Sequence, residues 1–146
     1  RSAMKSRAVA RLMMTPPVRS EKTDVGKTGY TIELPPAFRM TERQGPDFTV
    51  FYITPNDSTN TKTGAGIYFG PAPDEHGPDS LVRIKESTGT VLGKTSHTVD
   101  YKTKKYEWIE TVVDEDPSRK IQFWYFAYNP SDMAELGKMM ASLAKK

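Results

Sequence analysis

The chain has no cysteine among its 146 residues. This absence excludes disulfide bonds, cysteine nucleophiles and the zinc sites that depend on thiolates. It leaves the compartment open, because exported and cytosolic proteins alike can lack cysteine. A chain of this length can instead bury a core large enough to fold as one domain without such staples.

Long hydrophobic runs are also missing, and none approaches the ~20 apolar residues that span a membrane. The opening, RSAMKSRAVARLMMTPP, is basic, but Arg11 interrupts its apolar part and leaves it too short for a signal peptide. We predict a short helix or arm over residues 3–14 that ends at Pro16 and Pro17. Membrane anchoring, where it occurs, is expected through a segment that precedes Arg1.

Neither sign of charge dominates the chain, because its net charge is only +3. A duplex-binding domain usually gathers its lysines and arginines on one face. Here Glu86 and Asp100 interrupt the basic group, and a solvated sheet face is the favoured interpretation over a nucleic-acid or anionic-lipid patch. We predict no nucleic-acid partner. The basic group consists of Arg83, Lys85, Lys94, Lys102, Lys104 and Lys105.

Histidine is limited to two residues, which restricts metal binding and acid–base catalysis. The loop PDEHGPD brings Asp74, Glu75 and His76 together, and we favour a partner-binding surface loop there over a weak divalent-metal site. The acidic turn at residues 114–116 could bind calcium, although its spacing differs from an EF-hand loop. We predict no cofactor and no metal.

A catalytic hypothesis places His97, Asp100 and Glu107 near one end of a sheet, where they would act as acid and base. No nucleophile-elbow motif G-x-S-x-G accompanies them. We therefore expect the protein not to be an enzyme.

Short strands separated by turn-forming loops dominate the chain from Gly29 onward. Alternation and β-branched or aromatic content predict strands near residues 30–34, 47–54 and 65–70. The segments YEWIETVV, residues 106–113, and IQFWYFAY, residues 121–128, predict an antiparallel hairpin.

The aromatic segment IQFWYFAY is apolar on both of its sides. Ile121, Phe123 and Tyr125 face one way, and Trp124, Phe126 and Tyr128 face the other. We expect this strand to be covered on both sides. The alternative is an open aromatic groove at Trp124, Phe126 and Tyr128, because tyrosine and tryptophan tolerate a wet edge.

The segment after Tyr128 predicts a C-terminal amphipathic helix. Asn129 suits the N-cap and Pro130 the first helical position. Met133, Leu136 and Met140 recur at intervals of three and four residues, which marks the buried stripe. Gly137 weakens such a helix, and close approach to a sheet would compensate for it.

Two segments resemble the PsbP-like and DcrB-like proteins: the opening GYTIELPPAFRM and the ending IQFWYFAYNPSDMAELGKMMASL. At the position of Phe38 those proteins often carry tryptophan. The resemblance implies an α+β fold, with a central antiparallel sheet of about six strands, helices packed on its faces and a C-terminal amphipathic helix. Residues 1–28 would be an N-terminal arm and residues 29–146 a single domain.

The function expected from these observations is that of a non-catalytic protein-binding module. The resemblance implies a bacterial cell-envelope accessory protein, and an immunity or inhibitor protein is one version of this role. The partner would contact the aromatic segment or the long loops. A small-ligand carrier or sensor with an aromatic cleft at Trp124, Phe126 and Tyr128 is the alternative. We expect a periplasmic or envelope location, with the cytoplasm as the alternative.

Overall fold

The computed structural model describes residues 19–73 and 82–146. The predicted arm over residues 3–14 and the loop residues Asp74, Glu75 and His76 lie outside these ranges. The described strands are β1 (Glu21–Asp24), β2 (Tyr30–Leu34), β3 (Phe38–Gln44), β4 (Thr49–Pro55), β5 (Thr63–Gly70), β6 (Val82–Val91), β7 (Lys94–Lys102), β8 (Glu107–Asp116), β9 (Arg119–Ala127) and β10 (Ala144–Lys145). The described helix is α1 (Pro130–Ala141).

Seven strands form one antiparallel sheet in the order β3-β4-β5-β9-β8-β7-β6. Two runs of consecutive strands, β3 to β5 and β6 to β9, are joined where β5 pairs with β9. The aromatic strand β9 therefore lies in the middle of the sheet. Its composition suits that position, because aromatic side chains fill the pleated, covered surface of a sheet well.

The predicted hairpin is confirmed as β8 and β9, which pair antiparallel from Glu107 opposite Ala127 to Asp116 opposite Arg119. The connecting turn is fixed by Asp116, whose carboxylate accepts hydrogen bonds from the backbone N and the hydroxyl of Ser118, each at 2.8 Å. This local bonding is the usual way in which aspartate initiates a turn.

The predicted C-terminal helix is confirmed as α1. The Asn129 side chain accepts a hydrogen bond from the backbone N of Asp132 at 2.8 Å, and Pro130 begins the helix. This cap satisfies one of the amides that a helix start leaves without a partner. The predicted stripe residues Met133, Leu136 and Met140 are buried.

Gly137 lies where α1 comes close to β9. A side-chain carbon built at Gly137 would stand 3.2 Å from the Tyr125 hydroxyl, which is tighter than ordinary contact. The glycine thus allows the helix to approach the sheet, as the sequence predicted. Phe123 and Ile121, on the same side of β9 as Tyr125, belong to the core that α1 covers.

A small sheet of three strands, in the order β1-β2-β10, packs beside α1 on the same face. Tyr30 of β2 places its ring 5.7 Å from the ring of Phe69 on β5. The Tyr30 hydroxyl donates a hydrogen bond to Glu115 Oε1 at 2.9 Å. Burial and this bond raise the pKa of Tyr30 to about 12, so the link persists throughout the ordinary pH range.

The predicted fold class is wrong. The described chain is mostly β, with antiparallel sheets of three and seven strands and one short helix, and it is not an α+β sandwich with helices packed on the sheet. The error lies in the covering layer, part of which is built by β1, β2 and β10. β10 has two residues and β1 is largely exposed, so neither leaves a hydrophobic period in the sequence.

The expectation that β9 is buried on both sides is confirmed along its middle, where Ile121, Gln122, Phe123 and Trp124 are all buried. Phe123 belongs to the core under α1, and Trp124 to a second cluster on the opposite face. The domain boundary after residue 28 stays a prediction. β1 lies before that boundary and pairs with β2 after it.

Candidate functional site

Aromatic side chains gather on the face of the seven-stranded sheet that is opposite α1. The strand register places Tyr52, Gly66 and Trp124 side by side on β4, β5 and β9. Two residues further along, Gly64 of β5 stands opposite Phe126 of β9. Because side chains alternate between the faces of a strand, Trp124 and Phe126 share this face.

The two glycines of β5 make room for these rings. A side-chain carbon at Gly66 would overlap the six-membered ring of Trp124, and one at Gly64 would lie 3.1 Å from Phe126 Cε1. Glycine weakens a strand interior and commonly marks close approach of another group. Here the approaching groups are the two aromatic rings of β9.

A cleft of about 490 Å³ opens between these rings and the loop that follows β4. Tyr52, Trp124 and Phe126 line its apolar side, and the Tyr52 and Trp124 rings meet edge to face at 6.2 Å. The polar side is formed by loop residues that include Asp57 and Asn60. An apolar floor with a few polar groups is typical of ligand sites.

The loop that borders the cleft is fixed by its own hydrogen bonds. Asp57 accepts from the backbone N and the hydroxyl of Thr59, at 3.0 and 2.6 Å. The Asn60 side chain accepts from the backbone N of Lys62 at 3.1 Å. The two hydrogen bonds from Thr59 lower the pKa of Asp57, so its carboxylate is charged at neutral pH. The cleft is therefore largely formed before anything binds.

Tyr128 lies at the end of β9 and stacks on Tyr106, with ring centroids 5.2 Å apart. Tyr106 in turn meets Phe126 edge to face at 6.1 Å. Burial, followed by the proximity of Tyr128, raises the pKa of the Tyr106 phenol. The Tyr128 backbone N donates to Lys62 O at 3.1 Å, which ties this end of the strand to the cleft loop.

Two groups of aromatics can be distinguished on this face by exposure. Tyr52, Tyr106 and Tyr128 stand at its margin, and we call them the aromatic rim. Trp108 and Trp124 are buried and form what we call the aromatic centre. The Trp108 indole N–H donates to Glu110 Oε1 at 2.9 Å, so the centre also contains a buried carboxylate.

The structure brings together part of the site predicted from the sequence. Trp124 and Phe126 line the same cleft, and Tyr128 joins them through Tyr106. The predicted loop residues Asp74, Glu75 and His76 lie outside the described ranges, so their role stays a prediction. Tyr52, Tyr106 and Trp108 were missed as site residues, because only the strand register shows that they adjoin β9.

The three catalytic candidates do not meet. His97 lies on the face opposite Asp100, because the two positions differ by an odd number along β7. Its Nε2 is 3.9 Å from Glu86 Oε1 of β6. Asp100 and Glu107 do come close on the side of α1, where Glu107 raises the pKa of the Asp100 carboxyl.

The Asp100–Glu107 pair has unusual proton affinity for a partly exposed site. Burial first, and then the neighbouring Glu107 carboxyl, raise the pKa of Asp100 to about 6, whereas Lys102 and Lys85 oppose the shift. Burial and the two carboxylates also raise the pKa of the nearby Tyr125 phenol. The pair thus holds a proton at mildly acidic pH.

Within residues 19–73 and 82–146, no group of three or more metal-ligating side chains comes together. In the acidic turn considered for calcium, Asp114 pairs with Lys120 and Asp116 with Ser118. Glu115 accepts from Tyr30 and lies 3.5 Å from Arg119 Nε. In the same described part of the chain, no helix is long and apolar enough to cross a membrane.

One edge of the seven-stranded sheet is markedly exposed. Every residue of β6 is exposed except Val91. Val82 and Ile84 keep 64% and 53% of their surface exposed, more than the other large apolar residues in the described chain. The edge strand begins at Val82, with the segment VRIKES.

Comparison with known proteins adds little to this picture. A crystal structure of a protein from Bacteroides thetaiotaomicron is similar at a TM-score of 0.43 and 10% sequence identity. The similarity covers 88% of this chain and 49% of the other, so the chain spans about half the length of that protein. No family model and no curated protein matches the chain. The resemblance to PsbP-like and DcrB-like proteins stays a prediction.

Proposed function

We propose that the chain is a non-catalytic protein-binding module that holds a protein partner against its aromatic rim, Tyr52, Tyr106 and Tyr128. The observation that carries this proposal is the exposure of Tyr52 and Tyr128, at 38% and 40%, while Trp124 beside them is only 5% exposed. Tyrosine is enriched in the energetically important positions of protein interfaces.

The rim is also held in place before binding. Tyr128 stacks on Tyr106, and Tyr52 packs against the buried Trp124. Side chains that are already ordered lose little conformational entropy when a partner docks, which leaves more of the contact energy for affinity. A rigid aromatic margin is therefore better suited to binding than the same residues on a mobile loop.

The non-catalytic part of the proposal is supported by the placement of the acid–base candidates. His97 and Asp100 lie on opposite faces of the sheet, and Asp100 is engaged with Glu107. The biological setting that we propose, an accessory or immunity protein of the bacterial cell envelope, rests on the family resemblance alone.

Comparative capture with matched variants tests the proposal. The rim variant carries Tyr52→Ala and Tyr128→Ala, and the control carries Lys22→Ala and Lys138→Ala, two changes on exposed side chains away from the rim. We expect one protein from the source lysate to be retained by the wild type and the control and lost by the rim variant. Retention of the same proteins by all three would contradict the proposal, provided that thermal unfolding shows the rim variant to be folded.

The cleft supports a second function, that of a small-ligand carrier or sensor. Its volume of about 490 Å³ lies inside the range of about 300–1,000 Å³ that is typical of ligand pockets. Trp124 lines the cleft and would report a ligand through its fluorescence. A ligand panel that shifts the emission of the wild type but not of Trp124→Phe would favour this function. An unchanged emission across the panel, with the rim variant losing a protein partner, would favour the first.

A further inference from the structure

The outer edge of β6 offers backbone hydrogen-bonding groups to another strand. In the described residues β6 pairs with β7 and with no other strand, so its far side carries a row of backbone groups that face outward. β6 has ten residues, whereas the opposite edge strand β3 has seven. An unpaired edge of this length is a template for a further strand.

The features that prevent another strand from pairing are distributed unevenly along β6. Charged side chains and β-bulges commonly prevent strand addition. Both occur in the first part of β6, where Arg83, Lys85 and Glu86 surround a register shift between Arg83 and Lys85. From Ser87 to Val91 the ladder with β7 is regular and no residue is charged. β3, by contrast, has charged residues near both ends, at Arg39, Glu42 and Arg43.

An apolar groove lies just inside the unprotected part. Its volume is about 460 Å³, and it runs between α1 and the strands β7 to β9. Val91, Ile109, Tyr125 and Met140 are among its lining residues. Gly89 leaves the way in open, because a side-chain carbon built there would meet only Ser96 Oγ, at 3.8 Å.

The charge around the edge selects the kind of segment that could pair with it. The β6–β7 hairpin carries four basic residues, Arg83, Lys85, Lys94 and Lys102, against the two acidic residues Glu86 and Asp100. Arg83 already pairs with Glu86. The other three lysines outnumber Asp100, so the hairpin as a whole is positive, which favours an acidic partner and disfavours a second copy of the same hairpin.

We propose that β6 binds an extended, acidic segment of a partner protein as an eighth strand of the sheet, with an apolar side chain of that segment entering the groove beside Gly89. Main-chain hydrogen bonds supply affinity in such strand addition, and pockets for alternate side chains supply specificity. The inference rests on the proposed protein-binding function and adds the class of partner. It uses a surface separate from the aromatic rim.

Synthetic strand peptides test the proposal on the full chain. The probe is a fluorescent peptide that alternates glutamate and valine. Its controls are the same peptide with lysine in place of glutamate and the same peptide with every amide N-methylated, which blocks both of its edges. We expect saturable binding of the acidic probe, weakening with salt, and amide-exchange protection confined to β6. Binding of both charge forms alike, binding of the N-methylated peptide, or no binding at all would overturn the proposal.

Matched variants test whether the peptide binds at β6. Gly89→Leu fills the entrance to the groove and should weaken binding about tenfold or more, equivalent to about 1.4 kcal/mol. Lys85→Glu with Lys94→Glu should weaken it by a similar factor, whereas Lys22→Glu on β1 should not. Thermal unfolding checks that each variant is folded. Equal affinity in all of them would show that the peptide does not bind at β6.

The same experiments separate this proposal from the broader function. In one outcome, the variant carrying Tyr52→Ala and Tyr128→Ala loses a captured partner that the β6 variants keep, while the peptide does not bind. This result would support the protein-binding function and overturn the proposal that β6 binds an acidic segment. A dimer that forms with rising concentration and protects β6 would identify a second copy as the added strand, and would overturn the acidic-segment proposal.

Discussion

β9 and β6 belong to the same sheet and have nearly the same length, yet their surroundings differ completely. β9 lies in the centre and is buried along its middle, whereas β6 lies at the edge and is exposed over all but its last residue. Both form antiparallel ladders with their neighbours, and the β6–β7 and β8–β9 ladders each contain one register shift. Hydrogen bonding alone therefore does not distinguish a strand that holds the fold from a strand that is free to bind.

What distinguishes the two strands is the area that their side chains bury. Apolar burial supplies the dominant favourable term in folding, so β9 and the two buried clusters on its faces should carry most of the stability. β6 contributes little to the core, so substitutions in β6 should lower the free energy of unfolding only slightly. Residues at the margin of the sheet are consequently the ones that selection can adapt to a partner.

The largest expected effect comes from truncating a central side chain. Phe123→Ala on β9 should lower the free energy of unfolding by about 3–5 kcal/mol, because it leaves a cavity under α1. The matched change at the edge, Ile84→Ala, should alter it by about 0.5 kcal/mol or less. Urea unfolding measures both. Similar losses in the two variants would remove the distinction between centre and edge.

Glycine substitutions compare a central strand with the edge strand, with smaller expected changes in stability. Gly66→Ala on β5 should cost about 1–3 kcal/mol, because the new methyl group overlaps the Trp124 ring and the core must shift. Gly89→Ala on β6 makes only an ordinary contact with Ser96 Oγ, at 3.8 Å, and should be neutral or stabilising by up to about 1 kcal/mol. Thermal unfolding of the two variants checks the difference, and a stabilising Gly66→Ala would contradict the packing described for Trp124.

The smallest expected effect concerns Asp100, which lies on β7 between the edge and the centre, and it depends on pH. Its folded pKa is raised to about 6 from the usual 3.8, so the folded state binds the proton more tightly. The stability from protonation is complete below 3.8 and is lost as pH rises through about 6. Asp100→Asn should therefore raise the melting temperature at pH 7.5 relative to the wild type, and the gain should fall as the pH is lowered toward 4. An effect of the same size at both pH values would count against the raised pKa of Asp100.

Sequence patterns predicted the elements whose own residues determine them. The β8–β9 hairpin follows from two apolar segments joined by a turn at Asp116, and α1 follows from the Asn129–Pro130 start and its stripe of apolar residues. These signals are local and strong, so they survive the tertiary context. The burial of β9 was likewise predictable, because both of its sides are apolar.

Sequence patterns did not predict the layer that covers the sheet or the residues of the aromatic rim. β1 and β10 are strands because they pair with β2, and their own residues carry no apolar alternation. The covering layer, which was expected to be helical, is therefore partly a small sheet on the same face as α1. Tyr52 and Tyr106 joined the candidate site only through strand register and ring contacts, which composition and spacing do not reveal.

Residue-by-residue exchange of backbone amides in the native protein tests most directly whether the centre holds the fold and the edge is free. The middle amides of β9, residues 121–124, should exchange only through global unfolding, whereas the amides of β6 that face away from β7 should exchange almost at once. Uniform slow exchange across β6, or exchange of β9 by local opening, would contradict the account.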